Sequence, residues 1–333
     1  MTSGFSAVVL TVLCLLSLIF AATITRNTYI SPRTEFSTSD ITVNANTYYY
    51  MLDILDVTVL GSFRNNGQFF LHMSNNRSTS VRMTGNHFEN AGVFVFRSFE
   101  LRTFSDYQVT PSGPFLNTGD MYFGVHNAVY DSLPFSVTSL SSWSNTGMMV
   151  FVSEYGEPAD LQLQCHDENG IQTSITNNGT IFFTNIHWKA RTNIKGNGCM
   201  VLGSGVLVDL YYSESMQGIA GNQTIYLADP YSWLRVIGIE TREGGAPTLK
   251  VAGLGNGNAI IVQAYGSISS VHYSKKNGLL KVYIDDVVRI IFNIGTGYGN
   301  FQITGGYISY SEQPPNNPPT ICERSSVFPS RRL

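Results

Sequence analysis

At 333 residues the chain is long enough for one large core or two modest domains. Charged residues make up only 13%, against roughly 25% in ordinary globular domains, while aromatics reach 12%, which excludes a disordered chain and a charge-rich coiled coil. A net charge of −3 offers no electrostatic basis for nucleic-acid binding, and the wealth of Phe, Tyr, Val, Ile, Gly, Asn and Thr points to an all-β protein.

Residues 7–22 form a nearly unbroken apolar run that stops at Thr23-Ile24-Thr25-Arg26. So short a run at the N-terminus reads as a secretory signal peptide over residues 1–22, because a membrane-spanning helix needs ~20 apolar residues. An uncleaved anchor is the alternative, since Met1 to Ser6 carry no Lys or Arg and bulky Phe20 precedes the cut.

Six segments then align on a glycine: 63–71, 88–96, 115–123, 143–151, 175–183 and 194–202. The glycines are Gly67, Gly92, Gly119, Gly147, Gly179 and Gly198. Four residues before each stands Phe63, Phe88, Phe115, Trp143, Ile175 or Ile194. Two before stand Asn65, Asn90, Asn117, Asn145 and Asn177, with Gly196 in the last unit. Two after come Phe69, Phe94, Met121, Met149, Ile181 and Met200, and four after come Leu71, Phe96, Phe123, Phe151, Phe183 and Leu202. One such unit cannot bury its own apolar side chains, so stacking units in register is the expected solution, a parallel β-solenoid over residues 23–235. The asparagines then form a ladder, and glycine is expected to supply positive φ at each corner. Asn-Gly pairs also signal hairpins, but a meander would leave no reason for matching columns.

From Pro247 short strands follow at 248–252, 259–264, 267–273, 279–284, 287–293 and 301–310, joined by turns such as Lys276-Asn277-Gly278 and Asp285-Asp286. Two-residue connections cannot join parallel strands, so residues 236–312 are expected to form a smaller antiparallel β-sandwich. Residues 313–333 form a tail, with Pro314-Pro315-Asn316-Asn317-Pro318-Pro319 as its stiff beginning. Its polar, basic end carries no glycolipid-anchor signal.

Sequons at Asn76, Asn178 and Asn222 are candidates for N-glycosylation in an exported chain. Cys14 falls in the signal peptide, leaving Cys165, Cys199 and Cys322. Their places in consecutive repeats favour Cys165–Cys199, with Cys322 free or joined to another chain. Cys199–Cys322, Cys165–Cys322 and buried thiols are the alternatives.

The stretches His87-Phe88-Glu89-Asn90-Ala91-Gly92-Val93-Phe94-Val95-Phe96 and Gly196-Asn197-Gly198-Cys199-Met200-Val201-Leu202-Gly203 resemble the N-terminal domain of the hyphally regulated cell-wall protein family, as do residues 273–284 and Ile294-Gly295-Thr296-Gly297-Tyr298-Gly299-Asn300-Phe301. The resemblance runs from about residue 24 to 322. It implies a right-handed β-helix followed by a compact sandwich resembling the α-crystallin fold, displayed on a Ser/Thr-rich stalk with a glycolipid anchor. Neither stalk nor anchor follows Cys322 here, so a shortened secreted member or an interrupted reading frame is expected.

A polysaccharide-active β-helix would align carboxylates on one face. The column after the glycines reads Gln68, Val93, Asp120, Met148, Thr180, Cys199, and the column three before reads Arg64, Glu89, Leu116, Ser144, Thr176, Lys195. Neither is an acidic cluster, so no catalytic residue is expected. The histidines His72, His87, His126, His166, His187 and His272 lack metal-type spacing, Cys165-His166-Asp167-Glu168 reads as a turn, and Gly253-Leu254-Gly255-Asn256-Gly257 lacks the context of a phosphate loop. No metal and no cofactor is expected. Tyr48-Tyr49-Tyr50, Tyr211-Tyr212 and Trp188 could offer stacking faces for sugars. The reading is therefore a secreted or wall-associated, non-enzymatic adhesin-like domain that contacts cell-surface or wall glycans or proteins. A structural wall glycoprotein without a ligand is the alternative, and a β-helix lyase or hydrolase a minor one.

Overall fold

The computed structural model describes residues 21–100, 104–128, 132–167, 169–212, 218–239, 245–323 and 327–329. Most of the expected signal peptide lies outside them; the first strand opens at Ala22, which pairs with Ile41.

Each turn of chain lays one strand on each of three sheets. The first turn gives Ala22–Ile24, Thr28–Ile30 and Arg33–Thr38, and the second gives Ile41–Val43, Tyr48–Leu52 and Ile54–Val59. The pattern continues to Asn193–Lys195, Cys199–Leu202 and Val206–Tyr211, all in parallel pairing. This is a β-solenoid. The glycine-aligned columns stack in the register the sequence implied: Phe63, Phe88, Phe115, Trp143, Ile175 and Ile194 are successive partners, as are Phe69, Phe94, Met121, Met149, Ile181 and Met200. Rings in the first column lie face to face, with centroids 4.8 Å apart for Phe63–Phe88, 5.2 Å for Phe88–Phe115 and 5.0 Å for Phe115–Trp143. Each such side chain is fully buried, which contributes ~1.5–3 kcal/mol apiece.

At the corner, Asn65 Nδ2 donates to Asn90 Oδ1 (2.8 Å), Asn90 to Asn117 (2.8 Å), Asn117 to Asn145 (2.7 Å) and Asn145 to Asn177 (2.8 Å). The ladder does not end where Gly196 interrupts the asparagines. Gln223, from the following turn, reaches in: Asn177 Nδ2 donates to its Oε1 at 3.2 Å, and Gln223 Nε2 donates to the carbonyls of Asn177 and Lys195. All six amides are fully buried and paired.

The role expected of the glycines is corrected. None of the six has positive φ. They are required because the rungs approach so closely there: a Cβ on Gly92, Gly119, Gly147, Gly179 or Gly198 would run into the carbonyl oxygen of the preceding glycine of the column.

The onset of antiparallel pairing is corrected too. The boundary at 235/236 falls inside strand Ser232–Ile237, and parallel pairing persists through Thr248–Ala252 and Ala259–Gln263. Antiparallel pairing begins only beyond them. Ile268–Ser274, Leu279–Ile284 and Val287–Asn293 extend the second sheet, while Gln302–Thr304 and Tyr307–Ser309 extend the third. Leu280, Val282, Ile290, Phe292 and Ile308 belong to the same hydrophobic core as the solenoid. The antiparallel strands therefore cap existing sheets.

Beyond the cap the chain turns back as a strap over the outer face of the second sheet. Pro318 lies near Tyr226, Cys322 is bonded to Cys199, Phe328 packs on Tyr122 at 5.3 Å, and Pro329 lies beside Tyr50 and Phe70. Each contact is with an earlier turn than the last.

Candidate interaction surfaces

Side chains that alternate with the core positions of the second sheet point outward. One such column reads Tyr50, Phe70, Val95, Tyr122, Val150, Phe182, Val201, Tyr226, in register from rung to rung. From Tyr50 to Val201 its members are at most 7% exposed and cluster with Cys199 and Cys322, packing against Phe328. An apolar column at solvent-facing positions was the sequence signal of a covering segment.

The Cys199–Cys322 disulfide fixes that strap, and Thr180 Oγ1 donates to the carbonyl of Ile321 at 2.7 Å beside it. This corrects the pairing favoured by repeat position. Cys165 lies in the inner core, contributed by the third sheet, and its thiol donates to Ser141 O at 3.5 Å. Cys199 follows Gly198 and points outward from the second sheet, so a layer of backbone separates the two sulfurs. Cys322 is engaged within the chain, so it is not left for another molecule.

The outer face of the third sheet carries a charged cluster. Asp209, with its side chain 1% exposed, accepts from Arg235 Nε at 2.8 Å and Nη2 at 2.6 Å. His187 stands between two carboxylates, Nε2 at 3.0 Å from Asp209 Oδ2 and Nδ1 at 3.4 Å from Asp160 Oδ1, and Lys189 Nζ lies 3.5 Å from Asp160. Burial alone would push the Asp209 carboxyl up, but hydrogen bonds and charge from His187 and Arg235 outweigh it and hold the carboxyl below its usual value. Spacing along the sequence gave no sign of this cluster, because its members come from four turns of the solenoid.

The asparagines of the three sequons, Asn76, Asn178 and Asn222, are all exposed. Asn178 Oδ1 accepts from Asn197 N–H at 3.0 Å. Of the tyrosine and tryptophan faces expected to meet sugars, Tyr49 and Trp188 point into the core, Tyr212 is buried and Tyr50 lies beneath the strap, while Tyr48 is half-buried. Tyr211 is half-buried with Arg191 over its ring. Asp167 Oδ1 accepts from the N–H groups of Asn169 and Ile171, forming a turn; Glu168 lies outside the described residues. Asp285 and Asp286 both adopt positive φ, the geometry of a tight hairpin turn. The loop at Gly253–Gly257 is pinned by Asn258, whose Oδ1 accepts from Gly255 N–H at 2.8 Å. Among the described residues no group of three or more His, Cys, Asp or Glu is arranged to hold a metal. No helix among them is long and apolar enough to cross a membrane.

The chain is 30% identical over 295 residues to cell wall protein RBR3 of Candida albicans, covering 85% of this chain and 18% of that protein. It is 28% identical over 311 residues to cell wall protein IFF9 of the same organism, covering 90% of this chain and 31% of the relative. Adhesin AWP2 of Candida glabrata is 25% identical over 236 residues, 65% of this chain and 25% of the adhesin. The chain thus spans about a fifth to a third of these relatives' own length. Residues 12–331 match the model described as hyphally regulated cell wall protein N-terminal, and the chain belongs to that family.

Proposed function

We propose that the chain is an exported, non-enzymatic wall domain of adhesin type, which contacts other cells, surfaces or host glycans. The observation that carries this reading is its similarity to an adhesin within a family of cell wall proteins. A solenoid with one continuous core supports it, since such a body presents long, rigid faces. In this reading the coil is right-handed, and the cap at residues 268–309 corresponds to the α-crystallin-like module that the family resemblance implies. The alternative, a structural wall glycoprotein without a ligand, draws on the exposure of Asn76, Asn178 and Asn222, where N-glycans would sit.

Beads coated with the chain should be retained on yeast cells or glycan-coated surfaces, and free chain should compete with that retention saturably. Retention no greater than that of beads carrying an unrelated glycoprotein would leave the structural reading in its place. Release of reducing or unsaturated sugars from a polysaccharide would overturn both.

A further inference from the structure

Where the strap leaves the cap, it and the ninth and tenth turns of the solenoid enclose a cleft of about 230 Å³. We propose that this cleft binds one neutral sugar ring; the proposal deepens the adhesin reading and rests on it for its biological sense. Tyr226, the last of the outward column, is half-buried and lines the cleft. Its ring lies against Gly253, where φ is 77° and a Cβ would come within 2.6 Å of Cε2 and 2.8 Å of Cδ2. Only glycine lets the ring lie there. Asp229 lines the cleft from the solenoid, and Gln313, Asn316 and Asn317 line it from the strap.

These polar groups are only partly engaged by the fold. Asp229 accepts from Tyr231 N–H through Oδ1, at 2.9 Å, and Asn316 donates to Thr296 O through Nδ2, at 2.9 Å. Among the described residues, no hydrogen bond engages Asp229 Oδ2, Asn316 Oδ1 or the side-chain amides of Asn256, Gln313 and Asn317.

The chemistry fits a pyranose. Neighbouring hydroxyls each donate and accept, which carboxylates and primary amides can match in pairs, and the C–H face of a sugar packs on an aromatic ring. A lining carboxylate, with no Lys or Arg lining the cleft, disfavours anionic sugars. Pockets for drug-sized ligands run ~300–1,000 Å³, so this smaller cleft suits a single terminal ring. The site is composite: one wall, Gln313 to Pro318, exists only while the strap is laid down, and it ends four residues upstream of the half-cystine Cys322.

The test is ligand-observed saturation-transfer NMR on the full chain with methyl glycosides of mannose, glucose, galactose and N-acetylglucosamine, and with methyl glucuronide as the anionic control. At least one neutral glycoside should bind saturably and the glucuronide should not. Asp229→Asn, which keeps the Oδ1 acceptor, and Asn317→Ala should each weaken binding about fivefold, the size of one lost hydrogen bond, without changing Tm. No binding by any neutral glycoside, binding indifferent to both substitutions, or equal binding of the glucuronide would overturn the proposal. Bead retention with the same variants separates the two readings. Retention without glycoside binding, or retention indifferent to the substitutions, removes the cleft and leaves the adhesin; glycoside binding without retention does the reverse.

Discussion

Asn117 sits mid-ladder, accepting from Asn90 and donating to Asn145, with no solvent to replace either bond. Asn117→Ala leaves Asn145 Oδ1 unpaired and takes one partner from Asn90 Nδ2, and should cost ~1–3 kcal/mol. Asn65→Ala strands Asn90 Oδ1 and the buried Gly67 N–H, which donates to Asn65 Oδ1 at 3.2 Å, and should cost a similar amount; urea unfolding of the two variants checks both. Asp209 makes a second prediction. Because its carboxyl is held below the usual value, its contribution is full above the unfolded value of ~3.9 and is lost as pH falls through the folded one. Thermal stability should therefore drop in acid below about pH 4, and Asp209→Asn should flatten that part of the profile while costing ~1–3 kcal/mol at pH 7. An acid limb unchanged in the variant would assign the pH dependence to other groups. The columns of Asn65 to Asn177 were legible because each rung repeats the same residue at the same offset. Gln223 was not, since its amide substitutes for Gly196 from another turn, at an offset that matches nothing else.

The strap is held by one covalent bond and by apolar contact with a column that would otherwise face water. In the chain-entropy description, closing a loop of 123 residues stabilises the fold by about 5 kcal/mol. Cys322→Ser should lower stability by up to that amount and raise amide exchange over residues 313–323, together with proteolysis near Phe328. Dye binding to the uncovered Phe70, Tyr122 and Phe182 should rise with it. Protection of residues 313–323 unchanged in the variant would show that packing alone retains the strap. This element was the least legible. Its Pro-rich start reads as an exit, and its partners lie several turns upstream, where Phe70 and Tyr122 look like ordinary members of alternating strands. The late onset of antiparallel pairing has a similar cause: strands 248–252 and 259–263 are bounded by turns like those of hairpins, and only their partners Thr224–Leu227 and Ser232–Ile237 reveal the direction.

For the molecule as a whole, everything depends on successive turns lying directly above one another. Parallel rungs place Met149 between Met121 and Ile181, residues 28 and 32 positions away, and carry the same order on to Met200. That arrangement ties the ladder, the glycine contacts, the outward column and the composite cleft to one geometry, with each turn stabilised mainly by its two neighbours. Methyl-labelled NMR of the Met and Ile side chains reads it directly. The Met149 ε-methyl should show cross-peaks to both Met121 and Ile181, and Ile181 to Met200. Cross-peaks from Met149 confined to residues within a dozen positions, as adjoining hairpin strands would give, would contradict the stacked solenoid.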